Sequence, residues 1–274
     1  MPSRALPRSL CALSLVAVAG LTSVEAQSPK SYQPKEYQAG KDVVWVPSAQ
    51  ALVETMLDIA KVTPVDYLVD LGSGDGRTVI AAAKRGAKAL GIEYNPDMVE
   101  LARQNAEKAG VAGKASFSQA DLFQTDFSEA SVVTLFLLPE INIRLRPKIL
   151  AMKPGTRVVS NTFTMGDWRA DRVDFVPAKC QTFCNAYFWI VPAKAEGAWQ
   201  LGEGTLVLEQ KYQMLKGTLT VGNVVAPVKG KLAGAEIAFS AGSTEYKGLV
   251  NGDAMEGTAT TGGKEAPWRA SRAR

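Results

Sequence analysis

Val69-Asp70-Leu71-Gly72-Ser73-Gly74-Asp75-Gly76-Arg77 is the stretch that decides the fold. The apolar run Tyr67–Leu71 reads as a buried strand, and three glycines on alternate positions follow it at once. Glycine lets the backbone turn tightly and approach a ligand closely. A helical pattern then runs to Arg85. Its free N–H groups and positive dipole end face whatever the loop holds. Outward from this loop, strands and helices alternate. A helix capped by Ser48 is predicted to run to about Ala60. Strands are predicted at 89–93, Ala115–Gln119, 132–137 and Arg157–Asn161. Asn95-Pro96-Asp97 starts a helix that stops at Gly110, and another spans Pro139–Leu150. Segments 173–176 and 186–191 suit a final antiparallel pair. Short links between alternating elements predict an α/β fold, a doubly wound and mostly parallel sheet wrapped by helices.

Two further acids sit at informative stations. Glu93 ends the second strand, where doubly wound folds place an acceptor for the ribose hydroxyls of a nucleoside. Asp121, in Gln119-Ala120-Asp121-Leu122-Phe123, follows the third strand, where a carboxylate can accept the amine of adenine. Both open onto the carboxyl edge of the sheet, where ligands bind in this architecture. The loop lacks the spacing preferred for a pyrophosphate. Asp70 before the glycines is a poor neighbour for phosphate but a good partner for a cationic amino-acid head group. An NAD-linked oxidoreductase is therefore the weaker reading, and S-adenosylmethionine the favoured cofactor.

Composition removes other classes. The 274 residues contain no histidine, which excludes histidine-based triads, imidazole general bases and histidine-ligated metals. A formal net charge of +4 with no long basic run gives no argument for nucleic acid, and a hydrophobic fraction of 46% is that of a folded protein. Cys180 and Cys184 cannot make a four-ligand zinc site, so no metal is expected. They suit a disulfide only if the backbone turns between them, and two small buried thiols are the alternative.

The two ends of the chain read differently. Arg4 and Arg8, an uncharged run over 10–21 and small residues at Val24 and Ala26 have the layout of a signal peptide cut after Ala26. Export is the localisation this implies, with a mitochondrial presequence as the alternative. Residues 27–40 read as a linker, 41–196 as the donor-binding domain and 197–274 as a β-rich module. That last segment holds 13 of the 24 glycines. There Leu206, Leu208, Gln210, Tyr212 and Met214 fall on one predicted strand face. Gly222-Asn223, Gly242-Ser243 and Asn251-Gly252-Asp253 read as turns, giving a small antiparallel sheet or half-barrel. Lys-Gly or Glu-Gly recurs at Lys216, Lys229, Lys247 and Glu256, too irregularly for a repeat.

The segment 65–123 resembles class I S-adenosylmethionine-dependent methyltransferases. Asp70, Gly72, Gly74 and Gly76 match their acid-x-glycine-x-glycine-x-glycine loop, Glu93 their second-strand acid and Asp121 their adenine-side acid. Val44-Trp45-Val46-Pro47-Ser48, Gly91-Ile92-Glu93-Tyr94-Asn95-Pro96 and Leu138-Pro139-Glu140 further resemble the lysine methyltransferases that act on the ATP synthase c-subunit and the adenine nucleotide carrier. The resemblance implies a methyltransferase with a protein substrate, a lysine amine, and membrane association through that substrate. Phe136-Leu137-Leu138-Pro139-Glu140 departs from the Asn/Asp-Pro-Pro-aromatic motif of enzymes that methylate nucleic-acid amines. The implied donor-binding residues are Asp70, Gly72, Gly74, Gly76, Glu93, Tyr94, Asp121 and Leu122. Glu140 is the candidate catalytic residue, orienting the acceptor nitrogen. Trp45, Pro139 and Asn161 are substrate-side candidates. An exported binding or accessory protein that keeps the fold without turnover is the rival reading.

Overall fold

A computed structural model of the protein describes residues 1–2, 32–176 and 180–273. Apart from its first two residues, the leader read over 1–26 lies outside the described part. Helix α1 (Gln50–Ile59) precedes β1 (Tyr67–Leu71), α2 (Arg77–Lys84), β2 (Lys88–Glu93), α3 (Pro96–Lys108) and β3 (Ala115–Gln119). Then come β4 (Val132–Leu135), α4 (Pro139–Leu150), β5 (Arg157–Asn161), β6 (Arg172–Phe175) and β7 (Asn185–Ile190). These seven strands form one sheet in the order β3-β2-β1-β4-β5-β7-β6. β1 through β5 run parallel, and β7 lies antiparallel between β5 and β6. The strand order reverses beside β1, and the ends of β1 and β4 there bound the crevice in which such folds bind ligands.

Local chemistry explains the helix starts. The Asn95 side chain accepts from the N–H groups of Asp97 (2.9 Å) and Met98 (3.4 Å), and Pro96 takes the first helical position. Gly76, at φ 84°, is the N-cap of α2. A Cβ there would sit 2.7 Å from Phe117 Cζ, so only glycine fits. The Ser48 cap is corrected. Ala49 is the N-cap of α1, without a side-chain bond, because the Ser48 hydroxyl instead accepts from Asn161 Nδ2 at 2.9 Å. The predicted strand 132–137 ends early at Leu135, and Phe136 and Leu137 leave the sheet to line the crevice.

The C-terminal strands are β8 (Gly197–Leu201), β9 (Gly204–Lys211), β10 (Met214–Val221), β11 (Val224–Ala233), β12 (Glu236–Ala241), β13 (Thr244–Asn251), β14 (Ala254–Thr261) and β15 (Lys264–Arg272). They form a closed barrel, not the open sheet or half-barrel expected, because β15 pairs back onto β8. The predicted single face from Leu206 to Met214 is also corrected. Tyr212, at φ 55°, and Gln213 make a turn, and Met214 starts the next strand exposed. Trp199, Leu206, Leu208, Leu219, Ile237, Phe239 and Trp268 fill the barrel core.

Closure explains the scattered Lys-Gly and Glu-Gly pairs. A Cβ on Gly217 would lie 1.8 Å from the Val207 carbonyl oxygen, on Gly257 1.9 Å from that of Lys247, and on Gly248 2.2 Å from that of Glu256. At these glycines the neighbouring backbone comes too close for any side chain.

The barrel is keyed into the parallel sheet by the Tyr212-Gln213 turn. Trp168 Nε1 donates to Gln213 Oε1 at 3.0 Å, and Gln213 Nε2 donates to the Arg169 carbonyl at 2.8 Å. The Tyr212 ring stacks on Trp168 and its hydroxyl donates to Asp167 at 2.7 Å. That hydroxyl, with Lys211 and Arg146, holds the Asp167 carboxyl well below the usual carboxylate range.

Candidate active site

The glycine loop, the ends of β2 and β4, the segment after β3 and residues 38–48 surround one cavity. Among the predicted donor-binding residues, Asp70, Gly72, Gly74, Glu93, Tyr94, Asp121 and Leu122 line it. Gly76 does not, and acts instead through the turn into α2. Trp45 is also in the wall, and its indole Nε1 would stand 2.7 Å from a Cβ on Gly74. The loop is thus a cradle that a side chain would fill. Gly72 and Ser73 donate to the Ile92 carbonyl at 2.9 and 3.0 Å, which fixes the loop over β2.

Each acid has a distinct environment. Glu93 accepts from Gly74 N–H at 3.0 Å through Oε2 and from Asn95 N–H at 2.9 Å through Oε1. A carboxylate offers about four lone-pair positions, so each oxygen keeps one for a ligand hydroxyl. Asp121 accepts from Phe123 N–H at 2.9 Å and from Lys41 Nζ at 2.6 Å. Hydrogen bonding to Lys41 lowers the Asp121 pKa and raises that of Lys41. Lys41 Nζ also sits 4.7 Å over the Tyr94 ring. Sequence reasoning gave residues 38–40 to the linker and no role to 41–43, because a strap without periodicity carries no signal of its own. The neighbouring Trp45 was its single signal.

Asp70 is buried and accepts the Thr134 hydroxyl at 2.6 Å. Burial pushes its carboxyl up to about 7 against the opposing Thr134 bond, and the charges of Glu93 and Asp75 add to the rise. Below that pH the free protein holds a proton that an ammonium ligand must displace. Between the ordinary value and 7 the folded chain binds more protons than the unfolded one, so stability without ligand falls as pH rises through that window. Ligand affinity runs the other way. S-adenosylhomocysteine titrations at pH 8 and pH 6 are expected to show about tenfold weaker binding at the lower pH. Asp70→Asn should flatten this difference, and a wild-type affinity equal at both pH values would take Asp70 away from the ammonium site.

The substrate-side candidates divide. Asn161, fully buried at the end of β5, reaches Ser48 on the cavity wall, and its Oδ1 has no partner. Pro139 and Glu140 start α4 outside the cavity lining, with Glu140 exposed beside the lining residue Ile141. Cys180 and Cys184 are joined in a disulfide, their Cα atoms 5.7 Å apart. Phe183 at φ 59° supplies the turn that their spacing requires.

The residues fit an adenosyl amino acid. Such a molecule presents an ammonium, ribose hydroxyls and an adenine amine, and the cavity presents a buried acid, closely packed glycines, a strand-end carboxylate and Asp121. Known methyltransferases resemble the chain. The family described as ANTKMT methyltransferase domain matches residues 70–172. A protein-lysine N-methyltransferase of Saccharolobus islandicus (strain REY15A) is 46% identical over 134 residues, which is 48% of this chain and 83% of that protein. The lysine N-methyltransferase of the ATP synthase c-subunit from Mus musculus is 44% identical over 105 residues, 38% of this chain and 42% of that protein. A crystal structure of an RNA methyltransferase from Salinibacter ruber, in complex with S-adenosyl-L-homocysteine, has 47% identity and a TM-score of 0.51. The match covers 54% of this chain and 95% of that one.

Proposed function

This chain belongs to the ANTKMT-type family of S-adenosylmethionine-dependent methyltransferases, and from that premise we propose that its acceptor is the ε-amine of a protein lysine. The observation that carries the proposal is the charge of the cavity. Five carboxylates line it, from Asp42, Asp70, Asp75, Glu93 and Asp121, against the cations Lys41 and Arg77. Both cations are already paired, with Asp121 at 2.6 Å and Asp75 at 2.5 Å. With both cations taken, the lining offers no free Lys or Arg to the phosphates of a nucleic acid. The names of the Saccharolobus islandicus and Mus musculus relatives support a lysine acceptor, and that of the Salinibacter ruber structure an RNA one.

When bound, S-adenosylmethionine supplies a methyl group on a positively charged sulfur. The protein's own part is positioning and exclusion of water, worth up to about 7–11 kcal/mol in well-oriented reactions. Glu93 and Asp121 fix the nucleoside end, and Asp70 with the glycine loop fixes the amino-acid end. The acceptor ammonium sheds its proton to water before it enters the dry mouth, so no histidine is needed. Its lone pair then forms the N–C bond while the C–S bond breaks and the sulfur keeps the electron pair. Orientation of the nitrogen is assigned to Glu140, exposed at the start of α4 next to the lining residue Ile141.

The test is acceptor identity. Full-length protein, radiolabelled donor and a mixture of membrane proteins and RNA are incubated together. Label that yields methyl-lysine on acid hydrolysis and survives ribonuclease is the expected result. Label removed by ribonuclease would sink the lysine assignment and favour an RNA acceptor. We further propose that the chain is exported after cleavage at Ala26. The Cys180–Cys184 bridge supports this, since disulfides persist in oxidising compartments. N-terminal sequencing of the protein from its host tests it, and an intact N-terminus would overturn it. If donor binding occurs without transfer to any protein, the reading as an exported accessory protein takes its place.

A further inference from the structure

Residues 37–45 fold back on themselves as a small hairpin. Tyr37 N–H donates to the Trp45 carbonyl at 2.8 Å, Trp45 N–H to that of Gln38 at 3.0 Å and Gly40 N–H to that of Val43 at 3.0 Å. The chain that follows is anchored. The Ser48 carbonyl accepts from Arg77 at 2.6 Å, and the Ser48 hydroxyl from Asn161 at 2.9 Å. Residues 38–48 line the donor cavity without a break, so the hairpin is one of its walls.

The exposed tip of this hairpin carries Lys41. Its ammonium donates to Asp121 Oδ2 at 2.6 Å and lies 4.7 Å over the ring of Tyr94, which is itself exposed. The other oxygen of Asp121 is taken by Phe123 N–H at 2.9 Å. Both partners of Lys41 stand on the adenine side of the cavity. A flat base bearing an amine needs an aromatic face to stack on and a carboxylate to accept its N–H. Lys41 holds the same two groups at once, the ring by cation–π attraction and the acid by a charge-assisted hydrogen bond.

We propose that Lys41 is a latch: in donor-free protein it stands in for the adenine amine and holds the 37–45 hairpin against the donor site, and the donor enters by exchanging its adenine for Lys41 on Asp121 and Tyr94. The proposal rests on the donor reading above, with the adenine placed at Asp121. The exchange breaks one exposed ion pair and returns an ammonium to water, so the latch is weak and reversible. Its anchored end at Ser48 keeps the hairpin in place when the tip lets go. Release of the tip is thereby tied to donor binding, and the latch lowers the affinity it regulates.

The experiment titrates the full chain with S-adenosylhomocysteine by calorimetry and labels its lysines with an amine-reactive ester, read by mass spectrometry. Lys41→Met keeps the stem without the charge and should bind about threefold tighter than wild type, the scale of an exposed ion pair. Lys41→Arg keeps the charge and should bind like wild type. A saturating ligand ordinarily protects lysines around its site, but here labelling of Lys41 should rise when S-adenosylhomocysteine is added. Equal or weaker binding by Lys41→Met, or Lys41 labelling that falls or stays level, overturns the latch. Adding Asp121→Asn to Lys41→Met should cancel the gain in affinity. A double variant that binds as tightly as Lys41→Met takes the adenine away from Asp121 and overturns the latch with it. A weakened double variant beside an unimproved Lys41→Met overturns the latch alone and leaves the adenine at Asp121.

Discussion

Glu93→Ala should lower affinity for S-adenosylmethionine at least tenfold, measured by calorimetric titration. The lost bonds to ribose are charge-assisted and worth about 1.5–3 kcal/mol each. The same carboxylate also ties down Gly74 and Asn95, the middle of the glycine loop and the cap of α3. Truncation therefore unfastens the cradle as well as removing its ligand contact. Glu93→Gln keeps one acceptor oxygen and should fall between alanine and wild type. Unchanged affinity in the alanine variant would remove Glu93 from the site.

Gly217→Ala should be the most damaging single methyl group in the barrel. Its Cβ would meet the Val207 carbonyl oxygen at 1.8 Å and the carbonyl carbon at 2.9 Å. The obstacle is backbone, and in a closed ring that strand cannot retreat without opening its other seam. Overpacking of this kind costs about 3 kcal/mol or more. For a chain of this size that lowers Tm by roughly 6 °C or more. Gly113→Ala, where a Cβ meets nothing within 4 Å, is the neutral control. A Gly217→Ala protein that melts with the control would show that the close approach is not needed.

The parallel sheet was legible because each element carries its own signal. Asn95-Pro96-Asp97 names a helix start, and the alternate glycines after Leu71 name a turn that no other residue type could make. The three acids were legible for the same reason, since strand ends fix their height along the sheet. Barrel closure was not, because the pairing of Ala270 with Leu201 joins strands almost seventy residues apart by backbone bonds that leave no pattern in side chains. The turn at Tyr212-Gln213 was hidden because neither residue is a usual turn former. Tyr212 accepts a left-handed conformation there in exchange for stacking on Trp168. The Lys41–Asp121 pair was equally out of reach, being a contact across 80 positions made by a segment without periodicity.

The Trp168–Gln213 key gives the tail a grip on the chain that leaves the parallel sheet. Residues 162–171 run from the end of β5 and are held at their far end by that turn and by Lys231 of β11, whose Nζ lies 2.8 Å from Asp171. The barrel is a buttress. Weakening of β9, β10 or β11 is therefore expected to loosen the chain between β5 and β6, while the donor cradle hangs from β1 and β2 on the other flank of the sheet.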